Sequence, residues 1–426
     1  MVPQEKLAID GGTPVRAEPL RGGFHGSAEI DQREIEAVLN VLKKKRLFRF
    51  LANGVEDSEA AKVEAFYRQR LNRQFALAVN GGTAALICAM FGIDAGPGDE
   101  VIIPAYTYVA TAAAVIAAGA VPVIAEIDAS LNMDPRDLEA KITPYTKAVV
   151  PVHMRGVPAR MDEILDVARR HNLIVVEDVA QANGGSYKGR YLGTLGKVGC
   201  FSFQQYKIIT SGEGGLVVTD DQEVYDRCRM QHDCAIGFWE AAGARKTGFV
   251  VSGENYRLSE LAAALVLAQC GRLDPLLAKF RQVKRRIVQG VADVPGITLQ
   301  DVPDPEGDCA ITFSFFLPDA ALAKRFAQAL NAENIRCGTV HDNTIPDRHI
   351  YRNWPFMLSG LAEARRAPWK SPFYHGAIKG YTPDQCPRSL DYLGRCVMLF
   401  IDQFFTPEDA DLVVEGIRKV AGALLR

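Results

Sequence analysis

Residues 100–128 read EVIIPAYTYVATAAAVIAAGAVPVIAEID. VIIPAY is a short apolar strand-like run, YVATAAAVIAAG has the composition of a buried helix, and VPVIAEID is a second β-branched run. Gly119 and Pro122 break the apolar stretch and keep it too short to span a bilayer. The same alternation continues outward. Asp134-Pro135 supplies an N-cap and a first-turn proline for a helix, AVVPVHM is a strand, Met161 to His171 a helix, and IVVEDV another strand. Upstream, FALAVN stops at Gly81-Gly82-Thr83 and gives way to helix-forming AALICAMFG. Alternating strands and helices predict an α/β fold with a central, largely parallel sheet covered on both faces. Ligands of such sheets bind beyond the carboxyl ends of the strands.

Several chemistry-bearing residues stand at those ends. Gly82 and Thr83 open a helix after a strand, where unpaired N–H groups and the helix dipole favour a phosphate, although an ordinary tight turn has the same local sequence. No GK[ST] follows, so this is not a Walker loop. Asp178 ends IVVEDV, where a buried acid needs a partner, be it a cap, a salt bridge or a ligand. Glu177 points to the opposite face and reads as structural. Tyr108 follows a strand and is either core or a ring platform. From Gly199 the chain reads GCFSFQQYKIITSGEGGLVVT, two β-rich runs joined by a glycine-containing loop that carries Lys207. Tyr206, Ile208 and Ile209 surround that lysine with apolar groups. It is either a snorkelling surface lysine or an amine with a lowered pKa that serves as a nucleophile.

The bulk numbers set the class. The 426 residues, 48% hydrophobic and 23% charged, describe an ordinary globular protein with room for two lobes. A net charge of -2 gives no reason to expect nucleic acid or an anionic membrane, and the basic run Lys43 to Arg49 suits a helix C-terminus. Nine cysteines without CxxC spacing fit reduced thiols in a cytoplasmic protein and offer no metal site. The N-terminus lacks the apolar core of a signal peptide.

FSFQQYKIITSGEGG, EDVAQANGG (177–185), NGGTAAL (80–86), PAYTYVATA (104–112) and GENYRLSELAAA (253–264) resemble, in the same order, motifs of the DegT/DnrJ/EryC1/StrS family of sugar aminotransferases, which use pyridoxal 5'-phosphate (PLP). The resemblance runs from Glu29 to Val420. It implies the PLP-dependent transferase fold type I, with a large mixed-sheet lobe and a smaller C-terminal α/β lobe. The expected division is an arm over 1–28, a PLP-binding domain over 29–274, and a linking helix with the small domain over 275–426. It also implies that Lys207 is the Schiff-base lysine and Asp178 the acid at the pyridine nitrogen. Gly82, Thr83 and Ser202 would hold the phosphate, Tyr108 would stack on the ring, and Gln181 would lie near the coenzyme. Asn255, from GxNxR, would reach into the site of a partner subunit, which makes a homodimer with shared sites. The family usually carries histidine where Asn183 stands.

The implied reaction takes an amino group from glutamate or glutamine to a keto-sugar. Gln204-Gln205 is similar to the QQ of some cyclitol aminotransferases that use glutamine, so an inosose acceptor is an alternative. Two further alternatives are a PLP-dependent sugar dehydratase, whose members replace the lysine with histidine, and a non-catalytic PLP-binding regulator. His153 reads as a structural histidine. Arg155 is either a carboxylate-binding residue for donor or acceptor or an exposed loop arginine.

The remaining chain predicts helices from near Ile30 into the basic run, from Ser58 to Leu71, and from Ser259 to Cys270. Asp274-Pro275 would cap a further helix reaching about Gly290. CAITFSFFL, a helix from Asp319 to Asn331 and IRCGTV predict a small β-α-β layer. His341 to Cys386 is long and irregular, a candidate substrate-facing loop, and Thr406 begins a last helix with a capping box.

Overall fold

The computed structural model describes residues 6–50, 57–235, 252–341, 346–358 and 367–425. The apolar β-branched runs form β1 (Phe75–Val79), β2 (Glu100–Pro104), β3 (Val121–Ala125), β4 (Thr146–Val149) and β5 (Ile174–Asp178). A short ribbon follows, β6 (Ser186–Tyr187) with β7 (Arg190–Tyr191), and then β8 (Val198–Ser202) and β9 (Gly215–Thr219). The ribbon stands apart; the other strands make one seven-stranded sheet in the order β1-β9-β8-β5-β4-β2-β3. Every neighbouring pair from β8 to β3 is parallel, and β9 alone runs against both of its neighbours. The reversal has a simple cause: residues 203–214 carry no crossover helix, so the chain returns beside β8 in the opposite direction.

Helices cover both faces, and their ends follow sequence chemistry. Asp31 and Glu34 form a reciprocal capping box on Gln32–Lys44, Ser58 caps Glu59–Leu71, Asp134 caps Pro135–Ala140, and Ser259 caps Glu260–Cys270. The expected cap at Asp274-Pro275 is corrected. The long helix spans Leu273–Val291, with both residues inside its first turn, where a proline is tolerated and Asp274 pairs instead with Arg70. A boundary at residue 274 therefore falls within this helix.

A second sheet, in the order β10-β11-β13-β12, is built from β10 (Thr298–Leu299), β11 (Thr312–Phe316), β12 (Gly338–Thr339) and β13 (Cys396–Phe400). Its strands pair antiparallel through β13, which inserts between β11 and β12. The predicted β-α-β unit is present as β11, helix Ala320–Ala332 and β12, but its two strands do not touch. The final helix, Pro407–Leu424, starts with the expected capping box at Thr406 and Asp409.

Two apolar cores result. One joins the underside of the larger sheet to the second sheet and to helices Leu273–Val291 and Pro407–Leu424. The other fills the face carrying helix Gly82–Gly92 and draws in Tyr351, Trp354, Trp369, Tyr374 and Tyr381. The stretch expected as a substrate-facing loop is divided in its described part, with its large aromatics in the core and much of the remainder exposed, while residues 342–345 and 359–366 lie outside the described residues. Its tyrosines are buried with their hydroxyls paired, Tyr381 donating to the Pro122 carbonyl at 2.7 Å and Tyr374 to Glu100 at 2.5 Å. Among the described residues, no single helix is long and apolar enough to cross a membrane.

Candidate active site

The carboxyl ends of β1, β2, β5 and β8 point to one end of the sheet. Helix Gly82–Gly92 begins there, after Gly81 in extended conformation and with no side-chain cap, so its first-turn N–H groups are open to a ligand. The turn is pressed against the neighbouring strands. A Cβ on Gly82 would lie 2.7 Å from Ser202 Cβ, and one on Gly215 would lie 2.4 Å from the Gly81 carbonyl oxygen. Only glycine allows that approach, which brings the open N–H groups beside the buried Ser202 hydroxyl. Helix dipole, N–H groups and hydroxyl together form an anion cradle.

Asp178, at the tip of β5, is buried. Its Oδ1 accepts the Ala180 N–H at 3.0 Å and its Oδ2 accepts the Thr111 hydroxyl at 2.9 Å. Thr111 is paired in turn with Thr107 at 2.7 Å. Burial raises the pKa of Asp178, and the two hydrogen bonds and the positive Lys207 oppose that rise.

Lys207 lies in the loop between β8 and β9. Its backbone N–H donates to the Gln204 carbonyl at 2.9 Å, while Ile208 and Ile209 anchor the loop in the core. Burial lowers the pKa of its amine; Asp178 and Glu213 pull it up and Arg155 pushes it further down. The lysine and the aspartate are therefore electrostatic neighbours, each perturbed mainly by loss of water.

The other candidates fall around this pair. Tyr108 is 42% exposed and its ring lies 5.2 Å from that of His349. Gln181 Oε1 accepts the Arg155 N–H at 3.2 Å. Arg155 is no exposed loop arginine: its guanidinium donates to the Tyr106 hydroxyl at 3.2 Å and stands 3.8 Å from Asp347 and 5.2 Å from the Phe400 ring centre. Its backbone is left-handed, with φ 54°, an uncommon conformation for a residue that has a Cβ. His153 and Glu177, expected to be structural, are both fully buried and bonded to each other. Glu177 accepts from His153 Nε2 at 3.1 Å and from the N–H groups of Gly193, Leu195 and Gly196, and His153 Nδ1 accepts the Ala159 N–H. Asn183 is buried and donates to the Tyr67 hydroxyl at 2.8 Å, tying the loop after β5 to helix Glu59–Leu71. Asn255 is exposed, its backbone bridged to Asp233 and its Oδ1 taking the Arg257 N–H, while the adjoining Tyr256 carbonyl accepts the Asn80 N–H at 2.7 Å.

Sequence reasoning missed four participants. Thr107 and Thr111 are one helical turn apart in PAYTYVATA, a spacing that could have exposed them. Asp347 and His349 form a D-x-H pair bonded at 2.6 Å, inside a stretch with no periodicity to direct attention to it.

A family model described as the DegT/DnrJ/EryC1/StrS aminotransferase family matches residues 28–365. The chain is 44% identical over 209 residues to GDP-perosamine synthase of Caulobacter vibrioides, a match covering 49% of this chain and 55%, about half, of that relative. It is 35% identical over 349 residues to L-glutamine:2-deoxy-scyllo-inosose aminotransferase of Streptomyces kanamyceticus, covering 77% of this chain and 78% of the relative. Among solved structures, the aminotransferase from Psychrobacter cryohalolentis matches with a TM-score of 0.77 at 26% identity, over 93% of this chain and 98% of that one.

Proposed function

The chain belongs to the DegT/DnrJ/EryC1/StrS aminotransferase family, and from that premise we propose that it is a PLP-dependent enzyme moving an amino group from glutamate or glutamine to a keto-sugar. The observation that carries this reading is part-buried Lys207 within electrostatic reach of buried Asp178, beside the cradle of Gly82 and Ser202. The donor set fits PLP: an amine for its aldehyde, a carboxylate for its ring nitrogen, and a helix N-terminus with a hydroxyl for its phosphate.

When bound, PLP supplies an aldehyde that carries the amino group and a ring that takes up the electron pair released at the substrate carbon. Lys207 Nζ would hold the aldehyde and, when free, would be the base that moves the proton released at the substrate carbon. Its lowered pKa keeps the neutral, basic form accessible. Asp178, fixed by Thr111 and Ala180, would face the ring nitrogen and favour a proton there, a partner that would offset the burial cost of its own charge. Gly82, Thr83 and Ser202 would hold the phosphate and Tyr108 would cover the ring, while Gln181 holds the Arg155 backbone.

Arg155 binds a carboxylate of the donor or acceptor in this reading. Support comes from its strained backbone and from a guanidinium held beside Tyr106 and Asp347, within the electrostatic reach of Lys207. The enzyme works as a cytoplasmic homodimer, with Asn255 completing the partner's site. Exposed Ile35, Leu39 and Leu42 form an apolar stripe on helix Gln32–Lys44 that supports a second copy, and the nine free cysteines, most of them buried, support the compartment. Residues 1–28, 29–274 and 275–426 then act as arm, PLP-binding domain and small domain.

A cyclitol acceptor is the second reading, favoured by the 35% identity to the inosose aminotransferase. Borohydride reduction of the PLP-loaded protein followed by peptide mass spectrometry tests the core of the proposal. Label on Lys207, absent in Lys207→Ala together with loss of amino transfer, is the expected result. Full transfer by Lys207→Ala would overturn it. Screening keto-sugars against inososes as acceptors separates the two readings.

A further inference from the structure

The loop carrying Lys207 is held from below by a residue outside the coenzyme site. Gln269 is fully buried near the end of helix Glu260–Cys270. Its Oε1 accepts the Thr210 N–H at 2.8 Å, and its Nε2 donates to the Gly26 carbonyl at 2.6 Å. Gly26 N–H in turn donates to the carbonyl of Lys207 itself at 3.1 Å. A closed circuit thus joins Lys207, Gly26, Gln269 and Thr210. Gly26 has no room for a side chain: a Cβ there would meet Thr210 N at 2.7 Å, and Gln269 Oε1 and Ile209 Cα at 2.8 Å.

The circuit does not end at Gly26. His25, its neighbour, pairs with the Ile401 carbonyl at 2.8 Å just beyond β13, and Gly23 N–H donates to Asp402 at 3.0 Å. Further back, Glu333 accepts the N–H groups of Ala8 and Val15, both at 2.9 Å, and Asn334 donates to the Arg16 carbonyl. The arm is therefore strapped along the second sheet's side of the molecule and delivers one glycine under the lysine.

We propose that Gln269 and Gly26 are positioning residues for Lys207, fixing the backbone from which its amine reaches the coenzyme. The inference rests on the reading of Lys207 as the PLP-binding lysine. Both bonds of the Gln269 amide are buried, so losing them leaves unpaired backbone groups that the loop must move to satisfy. Displacement of a reacting group on that scale costs about tenfold to a hundredfold in rate without touching substrate affinity.

The test uses the full-length protein with PLP, comparing wild type, Gln269→Leu, Gln269→Glu and Gly26→Ala. The readouts are the rate of PLP capture followed by visible absorbance, the pH midpoint of that absorbance, borohydride labelling of Lys207, and kcat and KM for the amino donor. Gln269→Leu should capture PLP about tenfold more slowly, with a shifted midpoint and kcat lowered while KM stays put. Gln269→Glu should recover toward wild type as pH falls, because only its protonated acid can again donate to the Gly26 carbonyl. If Gln269→Leu fails to fold, Gly26→Ala carries the same expectation. Folded variants with wild-type capture rate and midpoint would overturn the positioning role. Failure of the wild type to become labelled at Lys207 would instead overturn the assignment of that lysine, and with it this role.

Discussion

Lys207 and Asp178 owe their character to dehydration more than to each other. Burial lowers the lysine and raises the aspartate, and each softens the other's shift. Asp178→Asn should still bind PLP yet react slower by about a hundredfold or more, since an amide cannot stabilise a proton on the ring nitrogen. Single-turnover absorbance with glutamate or glutamine measures it, and a wild-type rate would exclude the role given to Asp178. Arg155→Ala should raise KM for the carboxylate-bearing substrate with little change in kcat, the mark of lost uniform binding. Unchanged KM for both substrates would remove that assignment. At this scale the sequence made placement legible for residues in short motifs: Lys207, Asp178 and Gly82 come to the same end of the sheet. Gln269 was not, because a glutamine inside a helix looks like a surface residue until its buried partners from residues 26 and 210 are in place.

The turn between β1 and helix Gly82–Gly92 works through closeness of backbone to strand. Gly82→Ala should push against Ser202 and weaken PLP binding by about tenfold, ~1.4 kcal/mol, without unfolding the sheet. Equilibrium titration of apoprotein with PLP gives the constant, and an unaltered value would deny the cradle. Helix Gln222–His232 offers a pH prediction. Burial drives the His232 pKa from 6.5 down to about 3, its bond to the Arg229 carbonyl opposing and Arg49, Arg229 and Arg257 assisting. The unfolded chain takes that proton near pH 6.5 and the folded chain only near 3, so stability declines as pH falls through that interval. His232→Asn should flatten the decline in urea unfolding, and an unchanged slope would clear His232 of responsibility. Elements with a clear period could be read in advance, including the strands of the large sheet and the capped helices. The D-x-H pair could not, because its surroundings are ordered by single side-chain bonds, Tyr351 to the Pro383 carbonyl and Trp354 to the Arg348 carbonyl, rather than by any local repeat.

For the molecule as a whole, the proposal of a site shared between subunits makes a sharp expectation. Lys207→Ala and Asn255→Ala should each be impaired alone, yet mixing them should restore amino transfer, since one site of each mixed dimer combines both intact residues. Mixtures no better than the average of the two variants would confine Asn255 to its own chain. The reversed strand β9 has a consequence for biosynthesis. β1, made early, is hydrogen-bonded in the sheet to β9 alone, so on the ribosome it must wait for β2, β3, β4, β5 and β8 to emerge before its ladder can close. The pocket floor is thus among the last parts of the large sheet to set, and a nascent chain stalled before residue 215 should present an unzipped edge to chaperones rather than a coenzyme-ready enzyme.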